Sequence, residues 1–398
     1  MIPLIPPWLS FLLIIALIII FSKKELGIVL FIGALLFGLL TQVDIPNSII
    51  TVFIDPSIIL LALCVTLIPI LGGIMEESGL MLELVQKMNV SKKTALMVSP
   101  GLFGLLPVAG GALMSAPIVD QIDPNLNANR KVGINVWYRH ALILIYPLSS
   151  TLLVASVLSG ISLYIIIVAM IIPFIVMIII GYFTLLRQVE KTEEINTRDL
   201  KRVFINLIPI VIAPIIDFFG RTFLNLSIPE IFLLIGLCLS IWVALKFAEM
   251  PFSTIKSIAK KMKIWRFPLL IFAMFLFLEI FIKSGVPEDI GALELPFILL
   301  ICIGFFLGFA LGRVLLPISI LIPIYLIQNI LTIMPLLDFV FLYFATFLGY
   351  LMTPLHPCVA YSIQYFKTDY KKAFKYVAIP AFICFGLLLI VYLIISLF

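Results

Sequence analysis

The stretch LLPVAGGALMSAPIVD, Leu105–Asp120, decides how the rest of the chain is interpreted. It lies inside a long apolar segment, but Pro107 and Pro117 interrupt its backbone. The adjacent Gly110 and Gly111 loosen it further, so one straight helix is not expected. In hydrocarbon, unpaired backbone groups are tolerated only where protein or a water-filled cavity covers them. The stretch is therefore predicted to be either the tip of a hairpin that enters the membrane and turns back, or a kink.

Composition indicates a polytopic membrane protein. The 398-residue chain is 63% hydrophobic and 12% charged, and its mean hydropathy is +1.26. Apolar runs long enough to cross a bilayer recur from end to end, which is typical of all-α membrane proteins. The first run, Trp8–Phe21, lacks a basic flank and a small-residue cleavage site. We therefore expect it to be a retained span and not a signal peptide.

Charge and cysteine patterns exclude several other classes. The net charge of +5 comes from Lys and Arg in the loops between apolar runs, so no nucleic-acid partner is expected. The five cysteines are scattered singly with no CxxC pair, which predicts no metal site, no other cofactor and no disulfide framework. No Gly-rich phosphate motif or nucleophile elbow occurs. The expected surroundings are the lipid bilayer and a small-molecule substrate.

The chain divides into two similar halves. Ser78-Gly79 aligns with Ser284-Gly285, and Pro147 aligns with Pro354 within one position. Weak repeats of this kind are common in transporters. We predict an all-α fold of two inverted repeats, each with five spans, a re-entrant hairpin and an interrupted helix. The predicted parts are repeat 1 over 1–186 with a hairpin at about 94–122, a cytoplasmic linker over 187–202, and repeat 2 over 203–398 with a hairpin at about 296–332.

Basic residues predict the orientation. The clusters around Lys23, Lys92, Lys260 and Lys371 all fall on the cytoplasmic side if both broken apolar stretches are re-entrant. This gives ten spans and places both termini outside the cell membrane. Because five spans per repeat is an odd number, the two halves are expected to be inverted relative to each other.

Inverted repeats with discontinuous helices predict a substrate site near the bilayer midplane. The two hairpin tips and the two broken helices, Arg139–Thr151 and Gly349–Ser362, are expected to converge there. Small or polar residues at these breaks either bind a ligand or only permit close helix packing. The predicted substrate-binding residues are Gly110, Gly111, Ser115, Ser149, Ser150, Thr151, Arg313, Ser319, Thr353 and His356.

Ionisable residues at membrane depth are functional candidates. Arg313 has no acidic residue in its own segment and is predicted to bind an anion, with a structural ion pair or snorkelling as the alternative. The only two histidines, His140 and His356, lie in the broken helices. With Glu279 they are the predicted proton or coupling residues, and the alternative is an ordinary interior histidine or a buried ion pair.

Two further charged residues receive a structural interpretation. Arg139 is predicted to face the cytoplasmic interface, and Asp120 to cap its helix or to pair with Arg130 or Arg139.

Three motifs carry a family resemblance: LLPVAGGALMSAPIVD, YRH followed by YPLSS, and MTPLHPCVAYSIQYFKTDYKKAF near the carboxyl end. They resemble an integral-membrane family of archaea and bacteria known only as a domain of unknown function. That family is placed in the ion transporter superfamily, with dicarboxylate–sodium symporters, citrate permeases and gluconate permeases. The resemblance covers nearly the whole chain. It implies inverted repeats, a transport domain that moves against a scaffold, and often a homodimer.

One departure limits what the resemblance implies. The dicarboxylate–sodium symporters carry Ser-Asn-Thr at both hairpin tips, whereas this chain has Val-Ala-Gly-Gly-Ala and Ala-Leu-Gly-Arg-Val. Sodium coupling and dicarboxylate specificity therefore do not carry over. The coupling ion stays open between H+ and Na+.

The function predicted from sequence is a secondary active transporter, or permease, for a small organic anion, working by elevator-type alternating access and not as an enzyme. One alternative is a proton-coupled carrier of a neutral or cationic solute. Another is a membrane-embedded hydrolase or lipid-modifying enzyme, for which Ser362 and His356 are the candidate nucleophile–base pair, although no carboxylate is near them in sequence.

Overall fold

The structure is a computed structural model that describes residues 5–21, 24–88, 90–105, 111–190, 199–224, 226 and 228–397. These residues form twenty α-helices, and no β-strand occurs among them. The expectation of an all-α chain is confirmed. Pro107 and Gly110, at the centre of the first expected hairpin tip, lie outside the described residues, as does much of the predicted linker.

The first half of the chain contains ten helices. They are α1 (Pro7–Ile20), α2 (Leu26–Thr41), α3 (Ile45–Ile54), α4 (Pro56–Glu77), α5 (Leu80–Gln86), α6 (Lys92–Leu105), α7 (Gly111–Ile122), α8 (Ala128–Ala141), α9 (Ser150–Ser159) and α10 (Leu163–Gly181). A 3-10 turn, Leu142–Ile145, extends α8, and a π-helical turn, Tyr182–Leu186, extends α10.

The second half contains ten more. They are α11 (Leu200–Phe223), α12 (Glu230–Phe247), α13 (Thr254–Met262), α14 (Arg266–Lys283), α15 (Val286–Gly291), α16 (Phe297–Leu311), α17 (Leu315–Gln328), α18 (Leu336–Met352), α19 (Pro357–Tyr365) and α20 (Tyr370–Ile395).

Several helices have the length and composition of membrane spans. Six are long and apolar enough to cross a bilayer, and up to eight if each of two bent helix pairs counts as one span. The bent pairs are Ala128–Ile145 with Ser150–Ser159, at 43°, and Thr254–Met262 with Arg266–Lys283, at 50°. The expected first two spans, α1 and α2, have 14 and 16 residues, which is short of the roughly 20 that cross the hydrocarbon unaided.

Local signals recur at equivalent places in the two halves. Gly79 and Gly285 adopt left-handed backbone angles, with φ of 75° and 77°, and each begins a short helix, α5 or α15. Glycine suits this position because it has no Cβ to oppose a positive φ. Pro173 lies inside α10 and Pro380 inside α20. The order of the helices and the positions of these glycines and prolines therefore agree between the halves.

Packing between helices follows the same correspondence. Helix α2 packs on α14 as α4 packs on α12, and α6 packs on α8 as α16 packs on α18. The halves also interlock, because α7 packs on α19 and α17 packs on α9.

Three glycines allow the closest helix contacts, and one of them, Gly349 in α18, faces the carbonyl oxygen of Phe305 in α16. The Cα of Gly104 in α6 faces the carbonyl oxygen of Arg139, and the Cα of Gly308 in α16 faces that of Thr346 in α18. At each glycine a Cβ would overlap the facing carbonyl group. The α6–α8 and α16–α18 crossings thus both rely on a glycine that faces a backbone carbonyl of the neighbouring helix.

Candidate functional site

Helix α8 lies at the centre of the molecule and carries most of the site. Eleven consecutive residues, Lys131–Ala141, are buried. Its neighbours come from both halves and include α6, α7, α19 and α20. A helix that is buried on every side is normally apolar throughout. In contrast, α8 carries Asn135, Arg139 and His140, so these polar side chains need an explanation.

Asn135 joins three helices through hydrogen bonds. Its amide nitrogen donates to the carbonyl oxygen of Ala112 at 3.0 Å and to the hydroxyl of Ser362 at 2.9 Å. Its amide oxygen accepts from the hydroxyl of Ser115 at 2.7 Å. The Ser362 hydroxyl in turn donates to the carbonyl oxygen of Cys358 at 2.7 Å. The start of α7, the middle of α8 and the start of α19 are thereby fixed relative to one another.

Arg139 lies one turn after Asn135 on α8 and is only 4% exposed. Among the described residues, no carboxylate lies within ion-pair distance of its guanidinium, and its Nη1 has no hydrogen-bond partner. Asp120, expected to pair with Arg130 or Arg139, instead forms an ion pair with Lys131 at 2.5 Å. Burying a charge without a partner costs on the order of several kcal/mol. The expected interfacial position of Arg139 is not where the structure places it.

The guanidinium of Arg139 packs against the first residue of α7. The Nη2 of Arg139 lies so close to the Cα of Gly111 that a Cβ there would overlap it. The amino end of a helix carries partial positive charge on its unpaired N–H groups. A full positive charge and a positive helix end therefore meet in one buried place. That combination favours a negatively charged ligand.

The two histidines are in direct contact. The ring centroids of His140 and His356 are 4.5 Å apart, with the ring planes at 77°. The Nδ1 of His140 is 2.7 Å from the carbonyl oxygen of Val136, and the Nε2 of His356 is 2.9 Å from the hydroxyl of Tyr350. The Nδ1 of His356 is buried without a partner. Among the described residues, the fully buried His356 thus has one well-formed hydrogen bond, to Tyr350, and its ring also lies near the backbone of Leu351.

Cys358, at the start of α19, completes this cluster. One donor atom from each of His140, His356 and Cys358 lies within 4.8 Å of the other two. The guanidinium of Arg139 is a charged neighbour of the Cys358 thiol. Such a cluster can hold a metal ion. The sequence-based expectation of no metal site stays a prediction.

The break in the first half has different contacts. The hydroxyls of Ser149 and Thr151 are 2.9 Å apart, and Thr151 is also 2.9 Å from the hydroxyl of Tyr343 on α18. The contact with Tyr343 ties the start of α9 to the second half. No ligand is needed to satisfy these hydroxyls.

The structure brings some predicted site residues together around Arg139. Gly111 contacts its guanidinium, Ser115 bonds Asn135, and His356 contacts His140. Gly110 lies outside the described residues. These positions surround the same few side chains of α8.

Other predicted site residues have local roles. Ser319 donates to the carbonyl oxygen of Leu316 in its own helix at 2.8 Å, and Thr353 accepts from the backbone N–H of Leu355. Arg313 is exposed in the turn between α16 and α17, and its charge acts on the buried Tyr350 and His356. Ser150 begins α9 and is half-buried.

Glu279 also lies outside the His140 cluster. It forms an ion pair with Lys283 at 2.7 Å, on the same helix, α14. That helix packs mainly on α2 and α4 and not on α8 or α19.

Sequence reasoning missed Asn135, Cys358, Tyr343 and Tyr350, and it gave Arg139 too minor a role. One signal was present: Asn135 and Arg139 are four residues apart, and so on one face of a helix, within an apolar stretch. Cys358 had no such signal. Its partners come from α8, which lies more than two hundred residues earlier in the chain.

A family model described as "Protein of unknown function (DUF401)" matches residues 7–395. The chain therefore belongs to this family, as its motifs predict. No curated protein matches the chain significantly.

Proposed function

We propose that this member of the DUF401 family is a secondary transporter for a small organic anion, with the substrate bound beside Arg139. One observation carries the proposal: among the described residues, Arg139 is buried, its Nη1 lacks a hydrogen-bond partner, and no carboxylate lies within ion-pair distance of it, the charge of Glu76 acting on it only from farther away. A charge in that position is stable only if something else compensates it. A substrate carboxylate would supply the missing negative charge.

The chemistry of arginine narrows the ligand class. A guanidinium presents its donors as a planar fork that matches a carboxylate or phosphate with two parallel hydrogen bonds. The amino end of α7, beginning at Gly111, adds backbone donors on the same side. Both features favour a small carboxylate or phosphate over a neutral solute.

The arrangement of the two halves supports transport. Ten helices recur in the same order, and the main contacts, such as α2–α14 with α4–α12 and α7–α19 with α9–α17, correspond between the halves. Each of the pairs α6–α7 and α16–α17 consists of helices of 12 to 15 residues that pack on each other, which suits a re-entrant hairpin better than a full crossing. With five spans per half, the repeats would be inverted, as in many carriers that bind substrate at the midplane.

The same features fit kinship with the ion transporter superfamily. In such a protein the hairpins and broken helices would form a transport domain that moves against a scaffold, in elevator-type alternating access. The scaffold would be built from α1 to α4 and α11 to α14, since α2–α14 and α4–α12 pack tightly across the halves. A homodimer in the cell membrane, with both termini outside, completes this proposal.

A second candidate has its own observation. The contact between His140 and His356 places two titratable rings at the centre of the bundle, which is suited to proton coupling. A proton-coupled carrier of a neutral or cationic solute would use this pair and would not need Arg139.

An enzyme has less support. The Ser362 hydroxyl is engaged by Asn135 and the Cys358 carbonyl, and His356 Nε2 is engaged by Tyr350. The candidate nucleophile and base therefore each have other partners.

Uptake into proteoliposomes tests the proposal. The purified protein would be reconstituted and offered radiolabelled mono-, di- and tricarboxylates, inorganic phosphate and a neutral amino acid or sugar, with and without pH and sodium gradients. We expect uptake of at least one anion, and we expect Arg139→Gln to reduce it at least about 100-fold, in line with loss of a buried charge-assisted bidentate contact.

The matched control is Arg187→Gln, the same substitution at an exposed arginine. It should leave uptake unchanged. Anion uptake that survives in a folded Arg139→Gln protein would refute the proposed site. Uptake of a neutral solute that is abolished by His356→Gln and unaffected by Arg139→Gln would favour the proton-coupled carrier.

A further inference from the structure

Three potential metal ligands converge at the centre of the bundle from three separate elements. His140 belongs to α8, His356 to the break after α18, and Cys358 to α19. One donor atom from each lies within 4.8 Å of the others. His356 is fully buried, and its Nδ1 has no hydrogen-bond partner. A buried polar atom without a partner is costly and calls for a ligand that the protein chain does not supply.

The surroundings orient both rings as they are oriented in metal sites. In metalloproteins a ligating histidine usually bonds through its other nitrogen to a carbonyl, carboxylate or water, which fixes the ring. The Nδ1 of His140 is 2.7 Å from the carbonyl oxygen of Val136, which leaves Nε2 for a metal. The Nε2 of His356 is 2.9 Å from the Tyr350 hydroxyl, which leaves Nδ1.

Distances fit a small ion after modest adjustment. Metal–nitrogen and metal–sulfur bonds of about 2.0 and 2.3 Å in tetrahedral geometry place the donor atoms about 3.3 to 3.6 Å apart. The observed limit of 4.8 Å exceeds this by little more than an ångström. Rotations of the His140 and Cys358 side chains would have to close this gap for an ion to bind.

The donor set selects the kind of ion. A thiolate and two imidazoles suit Zn2+ or Cu+, whereas Mg2+ and Ca2+ prefer oxygen ligands. No carboxylate lies in this cluster. The guanidinium of Arg139 acts electrostatically on the Cys358 sulfur and adds a further positive charge, so a divalent ion in this cluster would need an anionic fourth ligand.

We propose that His140, His356 and Cys358 form a three-ligand site for a thiophilic metal ion of the Zn2+ type, with a fourth coordination position left for an exogenous ligand. Three protein ligands and one open position are typical of metal sites that act on or bind small molecules. On binding, the Cys358 thiol loses its proton to the buffer as the sulfur–metal bond forms, so one proton is released for each ion bound.

The site has a consequence for the anion. Because Arg139 neighbours Cys358, an anion paired with Arg139 would lie beside the open position and could become the fourth ligand. This consequence rests on the proposed function, whereas the metal site itself does not. Metal binding is measured without any anion, so either proposal can fail while the other stands.

Cobalt provides a direct probe. The full-length protein in detergent would be stripped of metal with a chelator and titrated with Co2+, followed by competition with Zn2+. A thiolate–Co2+ charge-transfer band and tetrahedral ligand-field bands are expected, together with release of one proton per ion by calorimetry in buffers of different ionisation enthalpy. Cys358→Ser should remove the charge-transfer band and weaken Zn2+ binding at least about 100-fold.

Cys384→Ser is the control, since Cys384 is a buried cysteine on α20 outside the cluster. It should leave the spectrum and affinity unchanged. His356→Gln supplies a second variant, for which weaker binding with an altered ligand-field spectrum is expected. Helical circular dichroism and gel filtration establish that each variant is folded.

Several outcomes decide the matter. A thiolate band that depends on Cys358 supports the site, and so does binding of Cu+ in preference to Zn2+ with the same dependence. Cobalt that binds the unmodified protein without a thiolate band, or a band that persists in Cys358→Ser, overturns the proposal. The first of these overturning results needs no variant, so a misfolded mutant cannot obscure it.

Discussion

The two helix breaks share a backbone plan but differ in chemistry. In the first half, Ser149 and Thr151 satisfy each other and the hydroxyl of Tyr343. In the second half, His356 and Cys358 occupy the corresponding positions, because they follow Pro354 as Ser149 and Thr151 follow Pro147. Among the described residues, the buried Nδ1 of His356 has no hydrogen-bond partner. The hydroxyls at the first break bond to each other and to Tyr343, whereas the second break keeps one nitrogen that can still bind a ligand.

The central helices differ in the same way. Arg139 on α8 and Thr346 on α18 each place a carbonyl oxygen against a glycine of the neighbouring helix. The Thr346 hydroxyl donates to the Leu342 carbonyl oxygen at 2.8 Å, whereas Arg139 carries a buried charge. The two halves thus share their packing but differ in the polar groups placed at the breaks, and the proposed ligand site uses the groups of the second break more than those of the first.

The largest expected effect is the difference in anion affinity between a variant of Arg139 and a variant of Thr346. Arg139→Met should raise the Kd of the transported anion at least about 100-fold, equivalent to about 2.7 kcal/mol, because the charge and both donors are lost. Thr346→Val, at the equivalent place in the second half, should change the Kd less than about twofold, since its hydroxyl bonds only within its helix. Equilibrium binding in detergent measures both. An equal increase in Kd in the two variants would show that the two halves do not differ in anion binding.

The glycine contacts should be equivalent in the two halves. Gly104→Ala and Gly308→Ala each force a Cβ against a backbone carbonyl, so both should lower the free energy of unfolding by about 1–3 kcal/mol. In thermal unfolding in detergent, both variants should melt well below the parent. Gly386→Ala is the control, because no atom lies within 4 Å of a Cβ built there. A tolerated Gly104→Ala beside a damaging Gly308→Ala would contradict the shared packing.

A substitution of Asn135 tests whether side-chain hydrogen bonds between helices stabilise the first half at this position. Four residues before Thr346, the second half has Leu342 where the first half has Asn135 before Arg139. Asn135→Leu leaves the Ser115 hydroxyl and the Ala112 carbonyl without this partner and should cost about 1–3 kcal/mol. Chemical unfolding in mild detergent measures this loss in the free energy of unfolding. An unchanged midpoint would show that water or packing replaces these bonds.

The smallest effect concerns the first-half break. Thr151→Val keeps the shape of the side chain but removes the hydroxyl that contacts both Ser149 and Tyr343. We expect a loss of about 0.5–1.5 kcal/mol and no change in anion or metal binding. Combining it with Tyr343→Phe should cost less than the sum of the single changes, because both remove the same bond. If the stability losses of the two single variants add exactly in the double variant, the contact between Thr151 and Tyr343 contributes nothing to stability.

The sequence by itself determined the membrane class and the recurrence of elements. Hydropathy is a property of single residues, and Gly79, Gly285, Pro147 and Pro354 mark turns through their own backbone restrictions. Such local signals need no knowledge of the partner helix. They also identified His140 and His356, because ionisable residues are rare in apolar stretches.

Only the tertiary structure decided which polar residues meet. Arg139 and Arg313 look alike in sequence, yet packing buries the first beneath α7 and leaves the second in an exposed turn. Cys358 became a candidate ligand because α19 packs on α8. Burial and proximity between distant segments depend on how whole helices cross, and hydropathy patterns contain little of that information. The physical reason is that a site is a set of distances, and distances between remote residues exist only once the chain is folded.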